Sequence, residues 1–147
     1  MIAGTNSGCG KTTVTCAVLQ ALVNRKINVS SFKCGPDYID PMFHKTVIGT
    51  AAYNLDTYLM SNDAVNYLLN KNSGDIAVIE GVMGFYDGFS FTEKGSTHEL
   101  SEITDTDVIL VVNCRGMSLS AMALVKGFKE FRKNNIKGCL LYTSDAA

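Results

Sequence analysis

"GTNSGCGKTT", residues 4–13, separates a short apolar segment, "MIAG" (1–4), from a stretch with helical periodicity. Glycines at positions 4, 8 and 10 let backbone N–H groups turn inward around phosphate oxygens, and the following helix adds the positive end of its dipole. In such a loop Lys11 reaches the terminal phosphates and the Thr12 hydroxyl ligates Mg²⁺. The whole run, Gly4, Thr5, Asn6, Ser7, Gly8, Cys9, Gly10, Lys11, Thr12 and Thr13, is therefore assigned to a nucleotide. Gly4 stands six residues before Gly10, one more than in G-x-x-x-x-G-K-[ST], and Thr5 takes the first-glycine place. The motif is a variant. It fixes phosphate binding and is silent on what the nucleotide is used for.

Outward from this loop, strand-like and helix-like segments alternate. Residues 11–25 carry Val14, Ala17, Val18, Ala21 and Leu22 at the spacing of one helix face, and "INVSSFKC" (27–34) reads as a strand. A second helix is expected over 63–72, with Val65, Leu68 and Leu69 inward and Ser61 or Asn62 as its cap. "DIAVIEGV" (75–82) and "DVILVVNC" (107–114) are continuous apolar runs, as in parallel strands buried on both faces. Ala121, Leu124, Val125 and Phe128 mark a helix over 118–133, and "IKGCLLY" starts another strand. The pattern predicts an α/β fold, a P-loop NTPase-type mostly parallel sheet flanked by helices on both faces. Ligands of such sheets sit at the carboxyl ends of the strands, so the loops after Gly4, Cys34, Val82 and Cys114 are the ones to watch.

The bulk numbers narrow the classes. The 147 residues are 46% hydrophobic, enough for one domain with a core. Thirteen basic residues against fourteen acidic give a formal net charge of −1, without the basic stripe of a nucleic-acid or anionic-membrane binder. No apolar run is long enough to span a membrane and no secretory signal pattern is present, which leaves a cytoplasmic location as the expectation. Five widely spaced cysteines without a C-x-x-C pair read as reduced thiols packed as small hydrophobes, Cys9 standing apart because it lies in the phosphate loop.

Two further loops carry chemistry. "GPDYIDPMFH" (35–44) follows the second strand and packs Asp37, Tyr38, Asp40 and His44 around two prolines, more polar chemistry than a chain reversal needs. "EGVMGFYDG" (80–88) follows a buried strand, and Glu80 at a strand's carboxyl end beside a phosphate loop is placed to hold Mg²⁺ directly or through water. Asp87, alone, fits a plain Asp-Gly turn as well as a functional role.

Together "AGTNSGCGKTTVT", "FKCGPDYIDPMFH", "NLDTYLM", "IEGVMGFYDG" and "GSTHEL" resemble the cobyrinate a,c-diamide synthase family of corrinoid biosynthesis, in family order and up to about residue 140. The resemblance implies ATP-dependent amidation. A carboxylate of a corrinoid substrate attacks the γ-phosphate, and ammonia released from glutamine by a C-terminal glutaminase domain displaces phosphate from the acyl phosphate. It implies Lys11, Asp37, Tyr38, Asp40, Glu80 and Asp87 as catalytic residues. The metal set is Thr12, Glu80 and one aspartate of the Asp37/Asp40 pair, with Asp37 placed in that set. Lys33, Tyr38, Asp40, Ser96 and Thr97 form the substrate set.

Plainer roles compete with these. Lys33 could be a strand-end cation, Tyr38 a buried aromatic anchor, Ser96 and Thr97 a helix cap, and His44 a surface residue or a support behind the site. No glutaminase domain is expected in the chain, because no cysteine sits in the glycine-flanked elbow of such a nucleophile. Residues 1–140 are expected to be the N-terminal part of a synthetase domain in a larger enzyme, a homodimer being the assembly considered, with 141–147 set apart as a suspect tail. Hydrogenobyrinate and Ni-sirohydrochlorin diamide synthases remain open, as does a dethiobiotin synthetase-like ligase. A partition-type switch ATPase is disfavoured because Asn6 stands where that class has its signature lysine.

Overall fold

The computed structural model describes residues 1–143. Six parallel strands, β1 (Ile2–Gly4), β2 (Val29–Cys34), β3 (Ala51–Leu55), β4 (Ile76–Glu80), β5 (Val108–Asn113) and β6 (Ile136–Tyr142), form one sheet in the order β3-β2-β4-β1-β5-β6. Five helices connect them: α1 (Lys11–Asn24), α2 (Ile39–Phe43), α3 (Asn62–Asn72), α4 (Thr97–Ile103) and α5 (Leu119–Glu130). The α/β class with helices on both faces is as the sequence reading has it. The order changes direction beside β1, so the phosphate loop opens where crevices form in doubly wound sheets.

The period-two alternation of the strands divides the core. Ile2, Leu19, Val29, Val78 and Val111 pack under α1 on one face. On the other, Phe32, Ile79, Val65 and Leu100 pack with α3 and α4, while Ala3, Leu110, Val112 and Ala121 pack with α5. Burying a side chain such as Phe32 contributes about 1.5–3 kcal/mol. The helix faces of α3 and α5 match the spacing in the sequence, and Ser61 caps α3 by accepting from the Ala64 N–H at 3.3 Å.

Three expectations change. On α1 Val14, Val18 and Leu22 pack against the core as the spacing predicts, but the fully buried stripe is Lys11, Thr15 and Leu19, and Ala17 and Ala21 face solvent. Small alanines bury little area, so the i, i+4 stripe bearing leucine turns inward. The apolar strands are not sealed throughout: Ile76 and Ile109 are exposed. "AAYNL" forms strand β3, unmarked by any apolar run, at the sheet edge. Of the tail set apart in the sequence, Leu141 and Tyr142 continue β6, and residues 144–147 lie outside the described residues.

Candidate functional site

The phosphate loop is built as its sequence requires. Gly10, at φ 85°, turns the chain into α1, whose N-terminus has no side-chain cap, so its first-turn N–H groups face outward from the loop. The crevice beside them, about 370 Å³, is lined by Gly8, Lys11, Thr12, Thr13, Lys33 and Asp37, among others. The Lys11 ammonium donates to the carbonyls of Met83 at 2.6 Å and Asn6 at 3.1 Å, and burial pulls it below its ordinary pKa. Met83 holds φ 43°, the left-handed region, where side chains are strained. Gly84 lets this turn touch the phosphate loop, since a Cβ there would stand 2.9 Å from the Thr5 carbonyl oxygen. From β6 the Tyr142 hydroxyl donates to the Cys9 carbonyl at 3.1 Å, bracing the loop from behind.

Next to it lies a buried charge network. The β2–β4 register sets Lys33 directly opposite Glu80. Lys33 Nζ lies 2.7 Å from Asp40 Oδ2, 3.0 Å from Glu80 Oε1 and 4.0 Å from Asp37 Oδ2. Burial alone would lower the Lys33 pKa, but Glu80 and Asp40 outweigh it and hold the ammonium above its ordinary value. Glu80 is wholly buried, and Oε1 also accepts from the Thr12 hydroxyl at 2.5 Å. Burial pushes its carboxyl upward, against the opposing pull of Lys33 and Thr12. One cation thus faces three carboxylates, a local excess of negative charge at the wall of a phosphate crevice.

Residues 1–146 match the family described as the CobQ/CobB/MinD/ParA nucleotide binding domain. The chain belongs to this family. Among curated proteins it is 48% identical to the cobyrinate a,c-diamide synthase of Thermoplasma volcanium, over 96% of this chain and 32% of that protein. It is also 47% identical to that of Priestia megaterium (89% and 29%) and 42% identical to that of Methanocaldococcus jannaschii (95% and 32%). The chain spans about a third of the length of these relatives.

The loop glycines, Lys11 and the open start of α1 are the groups that could cradle the phosphates of a nucleotide. For a divalent cation the donors fit as a shared site. Thr12 and Glu80 supply oxygens, Glu80 Oε2 has no hydrogen-bond partner, and a nucleotide phosphate with water would complete the shell, as Mg²⁺ prefers. Among the described residues no three His, Cys, Asp or Glu side chains could hold a metal by themselves. Asp37 stands on the Lys33 side, its Oδ1 accepting from the N–H groups of Ile39 at 2.8 Å and Asp40 at 3.3 Å.

The remaining residues divide between crevice and core. Tyr38 is 86% exposed, so it is not the buried anchor that one reading of the sequence allowed. Asp87 accepts from the Gly84 N–H at 3.0 Å and lines an open cleft of about 690 Å³ with Tyr86, Phe131 and Arg132. Ser96 and Thr97 are fully buried. The Ser96 hydroxyl caps α4 through the Glu99 N–H, and that of Thr97 bonds both the N–H and the carbonyl of Val82. Their cap and clamp roles are on display, and neither offers surface to a substrate. His44 is buried, not on the surface: Nδ1 lies 2.7 Å from the Ser31 hydroxyl and Nε2 3.7 Å from Glu80 Oε2. Sequence reasoning also missed an apolar slot of about 290 Å³ walled by Tyr58, Leu59 and Phe89, with Asp56 and Lys94 at its lining. It shares Val82 and Met83 with the phosphate crevice. The exposed aromatic residues of "NLDTYLM" and "YDGFSF" were its only trace in the sequence.

Proposed function

We propose that this chain is the nucleotide-binding part of an ATP- and Mg²⁺-dependent cobyrinate a,c-diamide synthase. The observation that carries the reading is the Lys33–Glu80–Asp40 network, joined through Thr12 to the phosphate loop. The relatives, all cobyrinate a,c-diamide synthases, support cobyrinate over the hydrogenobyrinate, Ni-sirohydrochlorin and dethiobiotin alternatives. An a- or c-side-chain carboxylate oxygen attacks the γ-phosphorus, the bond to ADP breaks, and ammonia then adds to the acyl carbonyl as phosphate leaves.

The residues divide this work. Lys11 and the loop N–H groups neutralise charge on the transferred phosphoryl group. Thr12 and Glu80, with Asp37 from the second loop, would hold Mg²⁺, whose charge would supply further neutralisation. Lys33 and Asp40 orient the attacking carboxylate, and Tyr38 and Asp87 contact the substrate from the second and third loops. The slot of Tyr58 and Phe89 takes an apolar edge of the macrocycle, and Lys94 meets a peripheral carboxylate. A glutaminase domain of the full-length protein supplies ammonia, the reaction is cytoplasmic, and a homodimer is its assembly.

The test is turnover of cobyrinic acid by the full-length protein with ATP, Mg²⁺ and glutamine or ammonia, followed by mass spectrometry. The expected result is sequential formation of mono- and diamide with matching ADP release. ATP hydrolysis indifferent to every tetrapyrrole offered, with no amide formed, would overturn the reading.

A further inference from the structure

His44 sits in an unusual turn. After α2 the chain widens into a single π-helical turn, His44–Ile48, closed by Gly49 at φ 80°. Such turns disturb the regular ladder and recur at functional sites. This one carries the imidazole inward under the charge network, where it has no exposed surface.

The hydrogen-bond inventory around the ring determines its tautomer. Ser31 is 1% exposed and its hydroxyl lies 2.7 Å from His44 Nδ1. A neutral imidazole has one donor and one acceptor. On the opposite side Nε2 faces Glu80 Oε2 at 3.7 Å, and both atoms are buried without a hydrogen-bond partner. An ionised Oε2 accepts, so the neutral tautomer that suits both neighbours donates from Nε2 and accepts at Nδ1 from Ser31. The gap is wider than a hydrogen bond, and a shift of roughly 1 Å closes it. In this dry surrounding an aimed N–H dipole acts on the charge with little screening.

We propose that His44 is a positioning residue for Glu80: its Nε2–H, fixed in that tautomer by the Ser31 hydroxyl, holds Oε2 so that Oε1 stays aimed at Thr12. The proposal rests on the reading that Glu80 serves the ATP-dependent reaction. It assigns the one polar side chain of "GPDYIDPMFH" that the catalytic scheme leaves without a role. The logic is that of an outer residue orienting an inner ligand, a contact whose loss typically costs 10–100-fold in activity or metal affinity.

Two readouts on the full-length protein test it. The first is the ¹⁵N spectrum of selectively labelled histidine, with His44 assigned by the signal lost in His44→Gln. The expected state is Nε2–H with a bare Nδ1, and a shift toward a tautomer mixture in Ser31→Ala. An Nδ1–H ring overturns the relay whether or not the protein amidates anything. The second is steady-state amidation alongside thermal unfolding. His44→Ala should lower kcat about 10–100-fold with KM for ATP changed less than about 3-fold. His44→Gln, which keeps an N–H near the Nε2 position, should recover most of that loss, and adding Ser31→Ala to it should cost nothing further. If Gln fails as badly as Ala, or if the losses track the unfolding midpoint, His44 is only core filling. If the parent protein forms no amide, the proposed function falls, and the tautomer alone decides the relay.

Discussion

The two loops that flank the crevice bind by different means. Residues 4–13 work through backbone: glycines, an uncapped helix start and one lysine whose partners in the fold are two neutral carbonyls. Residues 35–44 work through side chains, sorted into depth. Tyr38 stands out in solvent, Asp37 and Asp40 lie at the wall, and His44 lies beneath the sheet's edge. A backbone site can lose a side chain and keep its fold. A side-chain site woven into a buried ion network cannot.

The sharpest way to break this comparison is to remove the lysine from each loop's neighbourhood. Lys33→Met leaves Glu80 and Asp40 buried beside each other, and unfolding free energy should fall by about 3–5 kcal/mol. Lys11→Met leaves no charge unpaired. Its turnover should fall about 10²–10³-fold, while denaturant midpoints stay close to those of the parent. Equal destabilisation by the two would erase the distinction.

Gly10→Ala probes the backbone side alone. At φ 85° a side chain costs about 1–2 kcal/mol, and the new Cβ would stand 3.1 Å from the Tyr142 hydroxyl. Nucleotide affinity, read by calorimetry, should drop more than tenfold. Unaltered affinity would mean that the loop's turn does not shape the phosphate site.

At the exposed end of the second loop, Tyr38→Ala should leave stability within about 0.5 kcal/mol and raise KM for the carboxylate acceptor without affecting ATP. A stability loss well beyond that would show that the tyrosine packs against the protein in solution.

A pH-dependent effect sits at the root of the second loop. Burial pushes the Cys34 thiol from 9.0 up to about 12. Above pH 9 the unfolded chain ionises first, so stability is lost as pH rises, at most about 1.4 kcal/mol per unit until the folded thiol titrates. Cys34→Ala should flatten that alkaline slope in denaturation curves taken from pH 8 to 11. An unchanged slope would locate the alkaline sensitivity elsewhere.

Legibility followed the same division. The phosphate loop could be read residue by residue because glycine spacing and a G-K-T ending impose their geometry locally. The α3 and α5 faces were readable for a related reason, large apolar residues at a single period. The inward face of α1 was read in part: Val14, Val18 and Leu22 pack on the core, but the sheet buries Thr15 and Leu19 most deeply and leaves Ala17 and Ala21 outside. Strand β3 carries too little hydrophobic area to announce itself, yet it places Asn54 beside Lys33, where its amide donates to the Asp37 carbonyl at 2.8 Å.

By itself the sequence determined the class of fold, the phosphate loop and which loops carry the charged residues, because those depend on short-range pattern. Which charges meet was decided only by the tertiary structure. Lys33 and Glu80 are 47 residues apart, and parallel register makes them neighbours. Thr12 and Glu80 are 68 apart and meet because α1 starts above the end of β4. His44 became a partner of Glu80 only when a π turn rotated it beneath the sheet. Long-range pairing is set by how strands stack and which helix face is buried, and no local run of residues encodes that choice.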